Sequence, residues 1–511
     1  MSDYSFPSIG AGTLTLILGL GETGAAAALW CARNGARLRV LDTRAQPGGL
    51  DALRAKLDGA NVDFRLGAEC FTEDALTDVA RIVLSPGLPP AQEPVKSLLD
   101  LAREKNIEVL GEIELFARAL ADMAGQGYSP NVLAVTGTNG KTTVTSMARL
   151  LVQACGRSAR AAGNIGPAAL AALADALDAS DLPDVWVLEL SSFQLESTSS
   201  LVPDAAVVLN VTQDHLDWHG SMQAYAAAKA RLLAMAKVAV INRDDAIVAD
   251  MVAAPRAMSV RSFGRDAPHW VGDLGLEGSH GVAWLCASEA NDFDLPVAAG
   301  TGKRRKAEQE PLRDAGRISR LMPADALRVR GQHNALNALA ALALARSLGL
   351  GWAPMLRALR EYAGEPNRAE FVRAIAGVDF VNDSKGTNVG ATVAALEGLG
   401  RKAVLIAGGL GKGQDFSPLL KAVREHGRAV VLIGQDGPVI GQALADAGVP
   451  LEYASTLEDA VERGLALAQA GDTVLLSPAC ASMDMFRNYN HRGQVFVQAV
   501  HELALDKGEI A

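Results

Sequence analysis

Cysteine is scarce, and its spacing offers no pairs. The five residues Cys31, Cys70, Cys155, Cys286 and Cys480 are scattered over 511 positions and form no CxxC. An odd, dispersed set argues against a disulfide framework and a structural zinc site and fits a reducing compartment. Positive charge is also short. Lys and Arg number 48 against 58 Asp and Glu, a formal net charge of −10. Such a chain repels a phosphate backbone, so no nucleic-acid partner is expected. The one dense basic run, Lys303-Arg304-Arg305-Lys306, lies among Gly, Glu and Gln and reads as a solvated loop. Apolar runs long enough to cross a bilayer are missing, so no membrane insertion is expected. The richest run, residues 335–350, is broken by Asn337 and Arg346 and reads as a buried helix. No basic stretch precedes the first apolar run, so no signal peptide is expected. The cytoplasm is the expected location.

What is present is a strand–helix rhythm. Strand-like runs fall at residues 13–18, 37–41, 81–84, 132–136, 185–190, 205–209, 238–241, 403–406, 429–433 and 473–476, with helical patterns between them. This alternation predicts an α/β fold of parallel sheets with ligands at the strand ends. The length implies several domains. Three are expected: a Rossmann-like domain at 1–109, a central P-loop ATPase-like domain with a parallel sheet at 110–364, and a C-terminal Rossmann-like domain at 365–511. A Gly/Ser/Pro loop at 125–130 lies between the first helix of the second block and its glycine turn. Gly364-Glu365-Pro366 reads as a linker. Residues 264–325 break the rhythm. They are expected to form a variable loop or a small β excursion, and no chemistry is assigned to them.

Gly19, Gly21 and Gly24 make a G-x-G-x-x-G turn between a strand and an Ala-rich helix, and Asp42 ends the next strand. Read alone, this is a dinucleotide fingerprint and points to an NAD-dependent oxidoreductase. The physics is broader. Glycines let a backbone approach any diphosphate, and a helix N-terminus favours any anion, so a UDP group is served equally well. Arg44 adds a cation, and Ser85-Pro86-Gly87 at another strand end completes the same pocket.

A second glycine turn is more specific. A strand ends at Thr136, Gly137-Thr138-Asn139-Gly140-Lys141-Thr142-Thr143 follows, and a helix begins. This is a phosphate loop, with backbone N–H groups to cradle phosphates, Lys141 to neutralise charge and a hydroxyl to help hold Mg²⁺. It is shorter than the standard Walker loop, because Val135 stands where the first Gly would be.

That string resembles the ATP loop of the Mur ligases and the related folylpolyglutamate synthetases. Further matches are Gly163-Asn164-Ile165-Gly166, the run from Leu188 to Leu195, Asn210-Val211-Thr212-Gln213-Asp214-His215, and Gly331-Gln332-His333-Asn334-Ala335-Leu336-Asn337. Asn382-Asp383-Ser384-Lys385-Gly386-Thr387-Asn388 and Leu476-Ser477-Pro478-Ala479-Cys480-Ala481-Ser482 are similar to the D-glutamate-adding branch of that family. The resemblance implies a ligase that uses ATP and Mg²⁺ to join D-glutamate to UDP-N-acetylmuramoyl-L-alanine through an acyl phosphate; a monomer is expected.

The same resemblance implies roles. Lys141, Glu189, His215, Lys229 and Lys385 are the catalytic set, with Thr142, Glu189, His215 and a carbamylated Lys229 around the metal. ATP is expected on Gly137–Thr143 of the loop, that is Gly137, Thr138, Asn139, Gly140, Lys141, Thr142 and Thr143, and on Asn334, Asn337, Arg368 and Asp383. The UDP substrate is expected on Gly21, Glu22, Thr23, Asp42, Thr43, Arg44, Ser85, Gly87, Asn164, Ser191 and Gln194. D-Glutamate is expected on Thr387, Lys412, Ser482, Met483 and Tyr489, with Tyr where the family usually has Phe. Asn367 stands where the family often has His. From the residues alone, Lys229 is an ordinary helix-face lysine, His215 is as well read as a hydrogen-bonding residue, and Asn334 and Asn337 as helix-capping and inter-domain groups.

Overall fold

The computed structural model describes residues 4–279, 281–290, 312–329 and 331–509. Three sheets follow one another along the chain. The first has five parallel strands in the spatial order Val62–Leu66, Arg37–Asp42, Leu14–Leu18, Val79–Leu84 and Glu108–Leu110. The order reverses beside Leu14–Leu18, which places the crevice at the C-terminal end of that strand, where the first glycine turn lies. The helix Glu22–Arg33 starts from this turn. Gly24 is required there by close approach. A Cβ at Gly24 would lie 1.8 Å from the Gly19 carbonyl oxygen. Gly24→Ala is therefore expected to cost about 3 kcal/mol, since backbone cannot yield as a flexible side chain can. A denaturant midpoint equal to that of the parent would contradict this.

The central sheet has nine strands. Its parallel part runs Ala159–Gly163, Val185–Glu189, Asn131–Thr136, Ala205–Val208, Ala239–Asn242 and Val260–Gly264. The described parts of the segment 264–325 are more regular than a variable loop. Leu274–Ser279 adds a further strand parallel to Val260–Gly264. Val282–Glu289 and Arg317–Pro323 then extend the edge in antiparallel fashion. A β excursion is thus the form it takes. Leu274-Gly275-Leu276 and Leu285-Cys286-Ala287 are buried runs without alternation, so no strand period marked them in the sequence. The basic run 303–306 lies outside the described residues.

The third sheet has six strands, in the order Glu370–Ile375, Val378–Asn382, Thr473–Leu476, Ala403–Gly408, Gly427–Ile433 and Leu451–Tyr453. Its first strand is antiparallel and the rest are parallel. Each of the ten strand-like runs lies on a strand. Residues 335–350 lie mostly on the helix Gln332–Ser347, whose Ala and Leu side chains are buried all round. No helix among the described residues is long and apolar enough to cross a membrane.

The domains are joined in two physically different ways. One apolar cluster runs through the first domain into the second. It contains Phe6, Trp30, Phe116 and Trp186, with Phe6 and Trp30 ring centroids 4.8 Å apart and Phe116 and Trp186 5.3 Å apart, both edge to face. Each aromatic pair lies within one domain, and it is the continuous apolar cluster around them that holds the two sheets as one body. The third domain has its own apolar clusters. It meets the phosphate loop through polar groups instead. Asn388 and Asn139 exchange amide hydrogen bonds of 3.0 and 3.2 Å, and the Arg368 guanidinium donates to the Thr142 hydroxyl. Polar contacts exchange readily with water, so this is the joint that can open.

Candidate active site

The phosphate loop leaves the strand Asn131–Thr136 at Gly137 and enters the helix Lys141–Ala154 from Gly140. Gly140 has a φ of 85°, and a Cβ there would lie 2.6 Å from the Asn337 amide oxygen. Glycine is therefore needed for both conformation and space. No side chain caps this helix, so its first N–H groups are available to an anion.

Two lysines converge on the loop. Lys141 Nζ donates to the Gly137 and Thr138 carbonyls at 2.9 and 2.8 Å. Lys229, from the helix Met222–Met235, is 1% exposed and donates to the same Gly137 carbonyl at 3.0 Å. Its ammonium lies 4.4 Å from the centre of the Tyr225 ring. Tyr225 in turn shares a 3.1 Å hydrogen bond with the Thr138 hydroxyl. Burial first, and then the Lys141 charge, pull Lys229 well below the usual lysine range. Burial also pulls Lys141 down, against the opposing charge of Glu189.

Glu189 ends the strand Val185–Glu189 and is buried. One oxygen accepts from the Asn164 amide at 2.8 Å, while the other is buried with no hydrogen-bond partner. An orphaned anionic oxygen beside a phosphate loop suits a cation. His215 adopts the left-handed φ of 55° at the turn before a short helix. Burial holds its imidazole below the usual histidine range, against the pull of Asp214, so a neutral ring nitrogen is available.

One cleft collects Lys141, Asn164, Glu189, Ser191, His215 and Lys229 from the central domain, with Arg368, Lys385, Thr387 and Lys412 from the third. A neighbouring cavity across the loop collects Gly140, Thr143, Asn334, Asn337, Arg368 and Asp383. Asn337 donates to Asn334 at 3.3 Å, one helical turn away. Asp383 is pushed up to about 6 by burial, although Ser477 and Ala369 N donate to it.

Several expected contacts differ. Asp42 is 1% exposed, and its oxygens accept from Leu20 N at 2.7 Å and from the Arg44 guanidinium at 2.7 and 2.8 Å. It shapes the first glycine turn and leaves Arg44 to face solvent. The Gln194 side-chain oxygen is committed to a capping box with Ser191. The Thr142 hydroxyl faces Arg368. Ser482, Met483 and Tyr489 do not line the cleft. Ser482 turns the chain by accepting from Phe486 N at 2.8 Å, and Met483 is 66% exposed. Tyr489 instead carries the Lys385 ammonium 3.7 Å from its ring centre. Glu22 lies beside Gly166, and Ser85 lines an adjoining cavity with Phe193 and Trp218. Gly21, Thr23, Thr43 and Gly87 surround the same strand ends.

Four participants escaped sequence reading. Arg492 is 1% exposed and donates to the Ser384 and Cys480 carbonyls at 2.9 and 3.1 Å, tying two loops of the third domain together. Nothing in its helix marks it out. Asp214 and Asn388 meet at 3.3 Å across the domain joint, a pairing no local pattern shows. Tyr225 could have been found, because it stands four residues before Lys229 on one helix face.

His333 fills the space between Gly331 and Gly398, where a Cβ on either would lie 2.8 Å from its ring. Burial holds its imidazole down at about 4, from an ordinary 6.5. A depressed base gives stability that is complete above about pH 6.5 and is lost as pH falls toward about 4, because only the unfolded chain takes up the proton there. Thermal melts should therefore show the advantage of the parent over His333→Leu shrinking across that window. An unchanged gap would contradict the buried neutral ring.

The chain matches three family models: "Mur ligase MurD-like, N-terminal domain" over residues 13–111, "Mur ligase middle domain" over 135–298 and "Mur ligase, glutamate ligase domain" over 367–480. It is 68% identical over 499 residues to the UDP-N-acetylmuramoylalanine–D-glutamate ligase of Bordetella avium, covering 97% of each chain. It is 56% identical over 500 residues to the enzyme of that name from Ralstonia nicotianae, covering 98% of each. Among solved structures, MurF of Thermotoga maritima in complex with ADP aligns with a TM-score of 0.55 at 17% identity, over 97% of this chain and 96% of that one. MurC of the same organism aligns with a TM-score of 0.54 at 19% identity, over 96% and 99%. These two likenesses concern the fold. Near-complete coverage at high identity, with all three domain models in order, shows that the chain belongs to the Mur ligase family.

Proposed function

We propose that this ligase joins D-glutamate to the L-alanyl carboxylate of UDP-N-acetylmuramoyl-L-alanine, using ATP, in peptidoglycan precursor synthesis. The observation that carries it is the single cleft where phosphate loop, paired lysines and third-domain cations meet. The name of the full-length relatives supplies the amino acid and the nucleotide sugar.

ATP lies with its base toward Asn334, Asn337 and Asp383 and its phosphates along Gly137–Thr143. The diphosphate of the sugar substrate lies at the first glycine turn, with Arg44 as counter-charge, Ser85 and Gly87 beside it and Asp42 holding the turn in shape. Asn164 and Ser191 orient the alanyl end. An alanyl oxygen attacks the γ-phosphorus, ADP leaves, and an acyl phosphate forms. The amine of D-glutamate attacks that carbonyl, the tetrahedral intermediate expels phosphate, and the amine proton leaves with solvent. Lys141, Lys385 and Arg368 offset the charge on the transferring group. Lys412 and Thr387 receive the glutamate carboxylates, with Ser482 beside the Leu410–Ala481 backbone pair that supports Lys412.

Among the described residues, no three His, Cys, Asp or Glu side chains form a ready metal cage. Mg²⁺ does not need one, because it brings waters and takes phosphate oxygens. The partnerless Glu189 oxygen fits it, and His215, a Lys229 carbamate and Thr142, once its hydroxyl left Arg368, would complete the surroundings. When bound, it supplies Lewis-acid polarisation of the phosphoryl oxygens. The five cysteines are free, in keeping with the cytoplasm as the place of work. A monomer suffices, since one chain provides every group named.

The nicotinamide reading of the first glycine turn has no support left. Gly24 is explained by packing, and Asp42 is occupied by Leu20 and Arg44. The test is an acceptor screen with ATP and UDP-N-acetylmuramoyl-L-alanine. D-Glutamate alone among D-Glu, L-Glu, L-alanine, L-lysine and meso-diaminopimelate should give phosphate and a new amide. Turnover with another of these in its place would overturn the assignment.

A further inference from the structure

A separate cavity lies at the opposite end of the central sheet from the phosphate loop. Arg261, Arg317 and Arg346 line it, with Ser288, Glu289 and Trp352. Arg261 is the second residue of Val260–Gly264, so it stands near the N-terminal end of a strand whose other end points to the catalytic side. Arg346 lies at the C-terminal end of Gln332–Ser347, the helix that begins with Asn334 and Asn337 in the nucleotide cavity. At about 1.5 Å per residue, the two ends are some ~18 Å apart along the helix.

The cavity has more cation than its protein partners use. Among the described residues, none of the three arginines forms an ion pair within 4.0 Å. Arg261 donates only to the Met258 and Val260 carbonyls, both at 2.7 Å. Arg346 donates to the Leu350 carbonyl at 2.6 Å and stands 4.7 Å over the Trp352 ring. The lone carboxylate, Glu289, accepts from the Trp352 indole at 2.8 Å. Among the described residues of the cavity wall, three cations stand against one anion, which leaves two positive charges unmatched. The buried Arg313 nearby adds none to the balance, because Asp273 pairs with it.

The fold also makes room for this arrangement. Gly272 has a φ of 89°, and a Cβ there would lie 2.4 Å from Arg261 Nε. Glycine lets the guanidinium lie against the backbone. A guanidinium whose neighbours are carbonyl groups still has N–H donors to give, and in an acidic chain such a concentration of positive charge selects an anion.

We infer that this cavity is a second anion site, built for a compact multivalent phosphate and separate from the catalytic phosphates. Guanidinium forks match phosphate oxygens in geometry, and three from different elements enclose one tetrahedral or diphosphate group. Ser288 lines the same cavity.

The test uses the full chain saturated with ADP, so that the phosphate loop is filled, and inorganic pyrophosphate as the probe in titration calorimetry. The parent should bind one further pyrophosphate, and more weakly as salt rises. Arg317→Glu changes an exposed residue and should leave fold and ligase turnover unchanged, yet weaken this binding by roughly tenfold or more. Arg261→Met should do the same from within the cavity. Absence of binding beyond the ADP site overturns the inference, and so does equal affinity in the parent and Arg317→Glu. Ligase turnover does not enter the readout, so the result stands apart from the assigned reaction.

Discussion

Lys141→Ala is expected to lower the rate of ADP and phosphate formation at least roughly a thousandfold, the scale on which one preorganised charge acts at a developing anion. The structure shows why the loss should fall on turnover and not on folding. Lys141 Nζ rests on two carbonyls of its own loop, and burial already works against its charge. Among the described residues no carboxylate lies within ion-pair distance of it, and a cation so held is waiting for an anion. Removing it should leave the melting temperature near that of the parent. Lys141→Arg should not restore the rate, because a planar fork cannot follow the tight path between Gly137 and Thr138. A variant within tenfold of the parent would show that the charge is supplied elsewhere.

Lys229→Ala is expected to cost nearly as much, about a hundredfold to a thousandfold, for a different reason. The carbamate forms when a neutral amine attacks CO₂: a C–N bond is made, a proton is lost, and a cation becomes an anion. Burial and the Lys141 charge favour the neutral amine, so its nucleophilic form persists to lower pH than for an exposed lysine. Acid runs the reaction backwards by protonating the nitrogen. Carbon NMR of protein held under labelled CO₂ should show one carbamate signal in the parent and none in Lys229→Ala. Stripping CO₂ from the parent should lower turnover reversibly. Full activity in Lys229→Ala would remove the carbamate from the account.

The sequence was most legible where chemistry demands a rare local form. The phosphate loop needs Gly137 and Gly140, and both have the backbone and the close contacts that only glycine permits. Parallel strands buried on both faces read as plain apolar runs, so the sheets were visible too. The edge strands beyond Val260–Gly264 were not. Leu274–Ser279 carries two glycines, and Val282–Glu289 and Arg317–Pro323 lack a clean inside–outside alternation, so none could be told from loop. Site residues divided similarly. A group that meets its partner through a strand end, as Glu189 does, could be placed. Arg492 could not, because Ser384 is distant in the chain and Cys480 meets it only through a backbone carbonyl that no side-chain pattern reveals. Asp42 shows the converse error. Its position in the motif was right, but a turn that needs a buried acceptor for Leu20 N uses the carboxylate before any ribose can.

The different character of the two domain joints bears on how the reaction is assembled. The first two sheets share an apolar cluster, whereas the third meets the phosphate loop through Asn388, Asn139, Arg368 and Thr142. ATP entering the loop competes for the same polar groups, so the third domain should adjust as nucleotide binds and bring Lys385 and Lys412 onto the substrates.

The acyl phosphate is the step on which the whole scheme turns, and oxygen transfer reads it directly. UDP-N-acetylmuramoyl-L-alanine carrying heavy oxygen in its alanyl carboxylate should be turned over with ATP and D-glutamate, and the released phosphate examined by mass. Transfer of one labelled oxygen into each phosphate is the result this account predicts. Unlabelled phosphate accompanying amide formation would contradict it, because the carboxylate could then never have been phosphorylated.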